Sequence, residues 1–214
     1  MAATSVTERP TERGGGKRWR AERARRRKRL LVTVVAAIAA IGLVLAAVLL
    51  GSGGRSAPAG GVSVDGPIQT RTHLVGPGDM APSFTAPVLG GGSRTLSEEV
   101  EGPVLLSFWA PWCPACEQEM PVVERLSREF PDVAFRSVSI WADDRPGPSP
   151  ADFVRTTGVT FPTYLDDGTH TIADAFGVVG TPSLVLLGAD LHVLQADTGV
   201  IPEDELRTWL AEAA

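Results

Sequence analysis

The chain has few of the residues from which disulfide scaffolds and metal sites are built. Its 214 residues include only two cysteines, Cys113 and Cys116, and three histidines. Two cysteines are too few for a domain held together by several disulfides, and a structural zinc site takes four ligands. The pair could form half of a zinc site or a local structural disulfide. However, a second cysteine pair is missing and the histidines lack ligand-like spacing, so we expect no metal ion.

Positive and negative charges are separated along the chain. Lysine is absent from residues 51–214, which contain nine arginines and 22 acidic residues. Residues 1–29 have the opposite balance, with 11 basic and three acidic residues, and residues 30–50 have no charge. The net charge of −5 therefore averages two oppositely charged regions. The acidic main region argues against a nucleic-acid-binding surface there.

The uncharged run at residues 30–50 reads LLVTVVAAIAAIGLVLAAVLL. As a helix it would be about 32 Å long, close to the roughly 30 Å thickness of a bilayer's hydrocarbon core. Only a helix satisfies its own backbone in lipid, so we predict one transmembrane helix here. A buried core helix is the alternative, but a soluble helix normally has a polar face.

A basic cluster, RARRRKR at residues 23–29, directly precedes this run. The positive-inside rule predicts a cytoplasmic basic tail at 1–29 and a C-terminal region outside the cell membrane. Nucleic-acid binding is an alternative for the cluster, although contact with anionic lipid fits its position better. Ala57-Pro58-Ala59 resembles a signal-peptidase site, so cleavage stays open. The apolar run is longer than that of most signal peptides, which favours a retained anchor.

Two regions follow the predicted membrane helix. Residues 51–77 are rich in Gly, Ser, Ala and Pro and predict a flexible linker. Residues 78–214 have the alternating pattern of a packed α/β domain. The predicted strands are Ser83–Leu89, Val104–Trp109, Val133–Trp141, Ser183–Leu187 and Leu191–Gln195. The predicted helices are Cys113–Phe130, Pro150–Thr157, Thr171–Phe176 and one that follows Pro202. This order predicts a mixed sheet between helix layers.

The motif Trp112-Cys113-Pro114-Ala115-Cys116 lies where a buried strand gives way to a helix. A cysteine at a helix N-terminus faces unpaired N–H groups and the positive end of the dipole, which favour thiolate over thiol. We expect the pKa of Cys113 to lie below the free value of about 8.5. Thiolate is the attacking species in thiol–disulfide exchange, and Cys116 lies one turn further on.

A longer pattern surrounds this motif. The segments PGDMAPSFTAPVLGGGSRTLSE, PVLLSFWAPWCPACEQEMP and GVVGTPSLVLL together resemble the membrane-anchored, TlpA/ResA-like branch of the thioredoxin superfamily. The resemblance covers residues from about Gly78 to Ala214. It implies a thioredoxin-like fold with a mixed central sheet flanked by helices.

The resemblance also implies roles for individual residues. It implies that Cys113 is the nucleophile, that Cys116 resolves the mixed disulfide, and that the two form a redox-active disulfide. Thr181 and Pro182, joined by a cis peptide bond, would bind substrate backbone, and Trp112 would be a substrate-side platform. Glu119 matches a glutamate near the cysteine pair and would accept the proton of Cys116. The alternative for Glu119 is a solvated surface carboxylate. Ser107 stands where thioredoxin has a buried aspartate.

The function implied is that of an extracytoplasmic thiol–disulfide oxidoreductase without a cofactor, monomeric and anchored in lipid by residues 30–50. Its substrates would be protein disulfides, with apocytochrome c in cytochrome c maturation as a candidate. A membrane thiol donor would supply the electrons. Three alternatives stay open: a disulfide-forming oxidant of the same fold, a thiol peroxidase, and a non-enzymatic binding module. The peroxidase remains because the N-terminal pattern also resembles peroxiredoxin-like redoxins.

Overall fold

The computed structural model describes residues 61–65 and 71–214. The predicted cytoplasmic tail, the predicted transmembrane helix at 30–50 and most of the predicted linker lie outside these residues. Within the two described ranges, no helix is long and apolar enough to cross a membrane.

In the part of the chain that the structure describes, eight strands form two sheets. They are β1 (Ser63–Val64), β2 (Phe84–Pro87), β3 (Ser93–Thr95), β4 (Val104–Trp109), β5 (Ala134–Ser139), β6 (Thr163–Leu165), β7 (Ser183–Leu187) and β8 (Val193–Thr198). The central sheet has the order β6-β5-β4-β7-β8. β4 pairs parallel with β5 and antiparallel with β7, which confirms the predicted mixed sheet. All six residues of β4 are buried, because helices cover both faces of this central strand.

Among residues 71–214, four α-helices flank the central sheet. They are α1 (Pro114–Glu129), α2 (Pro150–Thr157), α3 (Thr171–Phe176) and α4 (Glu203–Ala213), and a short 3-10 helix spans Leu96–Glu98. On one face, Leu105 of β4 packs in a buried cluster with Val123 of α1 and Leu206 of α4. On the other face, the Phe108 ring lies 5.0 Å from the Phe176 ring of α3, measured between centroids. The sheet therefore lies between helix layers, as predicted.

The N-terminal part of the domain adds a small antiparallel sheet, β1-β2-β3, next to α3. The chain at 71–75 also joins α3, since the N–H of Val75 donates to the Phe176 carbonyl at 2.9 Å. Gly177 permits this approach: it has φ +67°, and a side chain there would overlap the His73 carbonyl. These contacts could not be predicted from local patterns, because residues 61–65 and 71–77 pair with elements distant in sequence.

Several predicted boundaries moved. β8 begins at Val193 rather than Leu191, because Leu191 has a positive φ of 64° and belongs to the turn from Gly188. β5 ends at Ser139 instead of Trp141, since Trp141 also adopts a left-handed conformation with φ 53°. Short strands β1, β3 and β6 were not predicted. Each has two or three residues, too few for an alternating pattern to be visible.

Candidate active site

The two cysteines lie at the junction of β4 and α1. Cys113 is the N-cap residue of α1, and Pro114 begins the helix without losing a hydrogen bond, because it has no N–H. Cys113 and Cys116 form a disulfide with their Cα atoms 5.3 Å apart. The N–H of Cys116 donates to the Cys113 sulfur at 3.1 Å. Cys113 is 4% exposed and Cys116 is fully buried, so only Cys113 reaches the surface.

The loop before β7 faces the disulfide. The Thr181–Pro182 bond is cis, as the resemblance implies. The Thr181 carbonyl oxygen lies 3.5 Å from the Cys113 sulfur, and Pro182 is buried. Val179, two residues before Thr181, is 67% exposed, an unusual exposure for valine. The loop therefore lies against Cys113, the cysteine of the pair that is not fully buried.

Glu119 lies three residues after Cys116 on α1, which is close to one helical turn. Its side chain is 1% exposed, so it is not the solvated carboxylate considered as an alternative. Burial raises the pKa of Glu119 to about 7, although a hydrogen bond from the Ile201 N–H acts in the opposite direction. A carboxyl group that titrates near neutral pH can exchange protons with a thiol under physiological conditions.

Ser107 lies on β4 between Leu105, which packs on α1 and α4, and Trp109, which packs beside Cys116. Its hydroxyl is buried, and within the part of the chain that the structure describes it has no hydrogen-bond partner. Because this position of β4 is a serine, it provides no carboxylate that could accept a proton from Cys116. Glu119 is the buried carboxylate nearest in sequence to the cysteine pair.

Trp112 is half-buried beside Cys113 and is covered by the segment that follows β5. Its indole N–H donates to the Trp141 carbonyl at 2.7 Å. The guanidinium carbon of Arg145 lies 4.3 Å from the centroid of its ring. Arg145 was not among the site residues predicted from the sequence. One feature of the sequence could have indicated it. Arg145 is a basic residue of an acidic domain and lies next to a proline, in the loop that follows β5.

Residues 77–198 match the model of the AhpC/TSA family. The chain belongs to the AhpC/TSA family. Among curated relatives, it is 30% identical to the thiol-disulfide oxidoreductase ResA of Halalkalibacterium halodurans, over 62% of this chain and 74% of that protein. It is 32% identical to the thioredoxin-like protein YneN of Bacillus subtilis, over 62% of this chain and 78% of that protein.

Solved structures of similar proteins have the same fold. A protein from Chlorobium tepidum described as a thiol:disulfide interchange protein DsbE is 25% identical, with a TM-score of 0.57 over 64% of this chain and 96% of that chain. A secreted disulfide oxidoreductase of Mycobacterium tuberculosis is 27% identical, with a TM-score of 0.52 over 60% of this chain and 94% of that chain.

These findings define the class of this AhpC/TSA family member. It is a ResA-like thiol–disulfide oxidoreductase with a thioredoxin-like fold. Its substrates are therefore protein thiols and disulfides. Within residues 61–65 and 71–214, no group of three or more His, Cys, Asp or Glu side chains is placed to hold a metal ion.

Proposed function

We propose that the protein is an extracytoplasmic reductant of protein disulfides, anchored in the cell membrane by a helix at residues 30–50. The observation that carries the exchange chemistry is the unequal burial of the two cysteines. Cys113 lies at a helix N-terminus, against the Thr181–Pro182 loop, and keeps 4% of its surface exposed, whereas Cys116 is fully buried. Such an arrangement lets one sulfur react with a partner while the other resolves the product. The location outside the membrane is supported by the uncharged run at 30–50 and the basic residues before it.

The reaction begins with Cys113. Its thiolate attacks one sulfur of a partner disulfide, a mixed disulfide forms, and the partner's other sulfur leaves as a thiolate. The N–H of Cys116 is placed to donate to the Cys113 sulfur and stabilises its negative charge. The carbonyl of Thr181 beside that sulfur, together with Pro182 and Trp112, aligns the partner backbone.

The second half of the reaction needs a proton acceptor. We assign that role to Glu119, because it is buried one turn from Cys116 and Ser107 is not an ionisable base. The Glu119 carboxylate takes the Cys116 proton, and the Cys116 thiolate attacks the Cys113 sulfur. The enzyme disulfide forms and the partner leaves with two thiols. A membrane thiol donor must then return two electrons, since each turnover leaves Cys113 and Cys116 joined as a disulfide.

Trapping experiments test the assignment of the two sulfurs. Cys116→Ser should accumulate mixed disulfides with partner proteins, because the resolving thiol is gone, whereas Cys113→Ser should not. Non-reducing electrophoresis of cells producing each variant measures this difference. Equal trapping by the two variants would contradict the assignment of Cys113 as nucleophile.

The reduction potential tests the direction of electron flow. The ResA/TlpA resemblance supports a reductant and makes apocytochrome c a candidate substrate. We expect a potential nearer to that of thioredoxin, about −270 mV, than to that of the oxidant DsbA, about −120 mV. Equilibration with glutathione buffers measures it. A value near −120 mV would favour disulfide formation, and the cytochrome c assignment would then be abandoned.

A thiol peroxidase is the second candidate, because the N-terminal pattern also resembles peroxiredoxin-like redoxins. The closed pair of Cys113 and Cys116 favours dithiol exchange instead. Parallel assays of insulin-disulfide reduction and peroxide consumption separate the two activities. We expect the first reaction and not the second.

A further inference from the structure

The segment 141–149 contacts Trp112 at two places. It is called the Trp112 loop here because it packs against Trp112, which itself precedes Cys113. The Trp141 carbonyl accepts the indole N–H at 2.7 Å. Gly147 comes so close that a β-carbon added there would lie 2.9 Å from the Trp112 β-carbon. Pro146 and Pro148 restrict the backbone of the loop because their rings fix φ. The loop therefore has a defined position beside Cys113.

Arg145 is the exposed residue of this loop that lies over the Trp112 ring, at 4.3 Å from its centroid. The seven other arginines of the described ranges each form an ion pair with a described carboxylate. They are Arg71, Arg94, Arg125, Arg128, Arg136, Arg155 and Arg207. Arg145 forms none with any carboxylate in those ranges. Its guanidinium carbon lies over the indole ring, and its N–H groups are available to another molecule.

We propose that Arg145 determines specificity by binding a carboxylate that lies beside the reactive cysteine of the partner protein. This inference rests on the proposed function of the cysteine pair. A guanidinium is planar and donates two parallel hydrogen bonds to a carboxylate, and stacking on an indole limits its motion. Trp112 directly precedes Cys113, so a partner that places its sulfur on Cys113 brings flanking residues to Arg145.

The charges around Arg145 limit its effect to residues that are already in contact with it. Asp144 of the same loop is near His170, with 3.5 Å between its carboxylate and the imidazole Nε2, and Asp143 is exposed. Residues 51–214 have 22 acidic residues and nine arginines, so the domain as a whole repels acidic partners. Arg145 therefore does not attract acidic proteins from a distance. It discriminates between bound partners by the residue next to their cysteine.

A pair of peptide disulfides tests the proposal. The two peptides are identical except for Glu or Gln next to the attacked cysteine, and both react with the reduced protein. An exposed ion pair contributes little, so we expect the wild type to react about threefold to fivefold faster with the Glu peptide. Arg145→Gln should lower this ratio to about one. Arg145→Lys keeps the charge without the planar fork and should give an intermediate ratio.

Arg128→Gln is the matched control, because Arg128 is an exposed arginine near the other end of α1. It should keep the wild-type ratio. Comparing ratios cancels any effect of Arg145 on the Cys113 thiolate itself, since the same thiolate attacks both peptides. Raising the salt concentration should reduce the wild-type ratio and leave that of Arg145→Gln at about one.

The outcomes separate the two proposals. A wild-type ratio of about one, or a ratio retained by Arg145→Gln, would overturn the assignment of Arg145 while the exchange reaction itself proceeds. Absence of exchange with either peptide would contradict the proposed function and this inference with it. Loss of preference in Arg128→Gln to the same extent would show a general charge effect and would also overturn the assignment.

Discussion

The backbone N–H of Ile201 lies 3.4 Å from Oε1 of Glu119, and it is the one hydrogen bond that this carboxylate receives within the described ranges. Ile201 precedes α4, so the contact joins the last helix to the helix that contains the cysteines. A single long hydrogen bond does not offset the cost of burying a charge. The pKa of Glu119 is consequently raised to about 7 by its burial.

The first prediction concerns stability as a function of pH. Glu119 has a folded-state pKa of about 7, above its ordinary value of 4.5. Between these two values the folded protein holds a proton that the unfolded chain has released, so the free energy of unfolding falls as pH rises. We expect ionisation of Glu119 to lower the free energy of unfolding by about 3 kcal/mol between pH 4.5 and pH 7. Urea unfolding of the disulfide form at several pH values measures it.

Glu119→Gln should flatten this dependence, because glutamine does not titrate. Glu117→Gln is the matched control, since Glu117 is exposed on the same helix and should keep the wild-type slope. If Glu119→Gln and the parent lose stability equally between pH 4.5 and 7, the carboxylate is not the titrating group.

The second prediction concerns the rate at which Cys116 resolves the mixed disulfide. The carboxylate form of Glu119 must accept the thiol proton, so the wild-type rate should rise with pH around the pKa of about 7. Glu119→Gln should slow this step roughly 10²-fold, the lower end of general acid–base contributions. Stopped-flow reaction with a disulfide substrate measures both the rate and its pH profile. An unchanged profile in Glu119→Gln would make the residue structural only.

Much of the fold was accessible from local sequence patterns. β4 was predicted with its observed limits, because a run of six apolar or small residues between turns is typical of a central strand. The limits of α2 and α3 were also predicted, since capping and turn residues flank them. The Cys113–Cys116 motif was placed correctly at the N-terminus of α1. These features depend on residues that are close in sequence.

What the sequence did not reveal depends on contacts between distant residues. The resemblance placed Glu119 near the cysteine pair, and residue type alone left a solvated carboxylate as the alternative. The contact that decides this comes from Ile201, 82 positions away, whose N–H donates to Glu119. The stacking of Arg145 on Trp112 follows from the path of a loop whose Trp141 has a left-handed backbone. A charged residue alone looks the same in a sequence whether it is solvated, buried or stacked. Residue type and spacing therefore leave such positions undetermined.

The third prediction concerns topology. The basic residues at 1–29 and the uncharged run at 30–50 predict that the domain lies outside the cell membrane. Protease added to intact protoplasts should therefore digest residues 51–214. If residues 51–214 resist the protease in intact protoplasts and are digested once detergent dissolves the membrane, this orientation is wrong. Release of a soluble chain that begins near Gly60 would instead show that the anchor is cleaved.

The fourth prediction concerns the packing of the Trp112 loop. A β-carbon at position 147 would lie 2.9 Å from the Trp112 β-carbon, closer than van der Waals contact allows, so Gly147→Ala must displace the loop or the tryptophan. We expect a loss of about 1–2 kcal/mol in the free energy of unfolding. Gly168→Ala is the matched control, because the space around position 168 is open within 4 Å. Urea unfolding measures both variants. If Gly147→Ala is as stable as Gly168→Ala, the loop does not pack against Trp112 at this distance. The placement of Arg145 over the indole ring depends on that packing and would then be wrong.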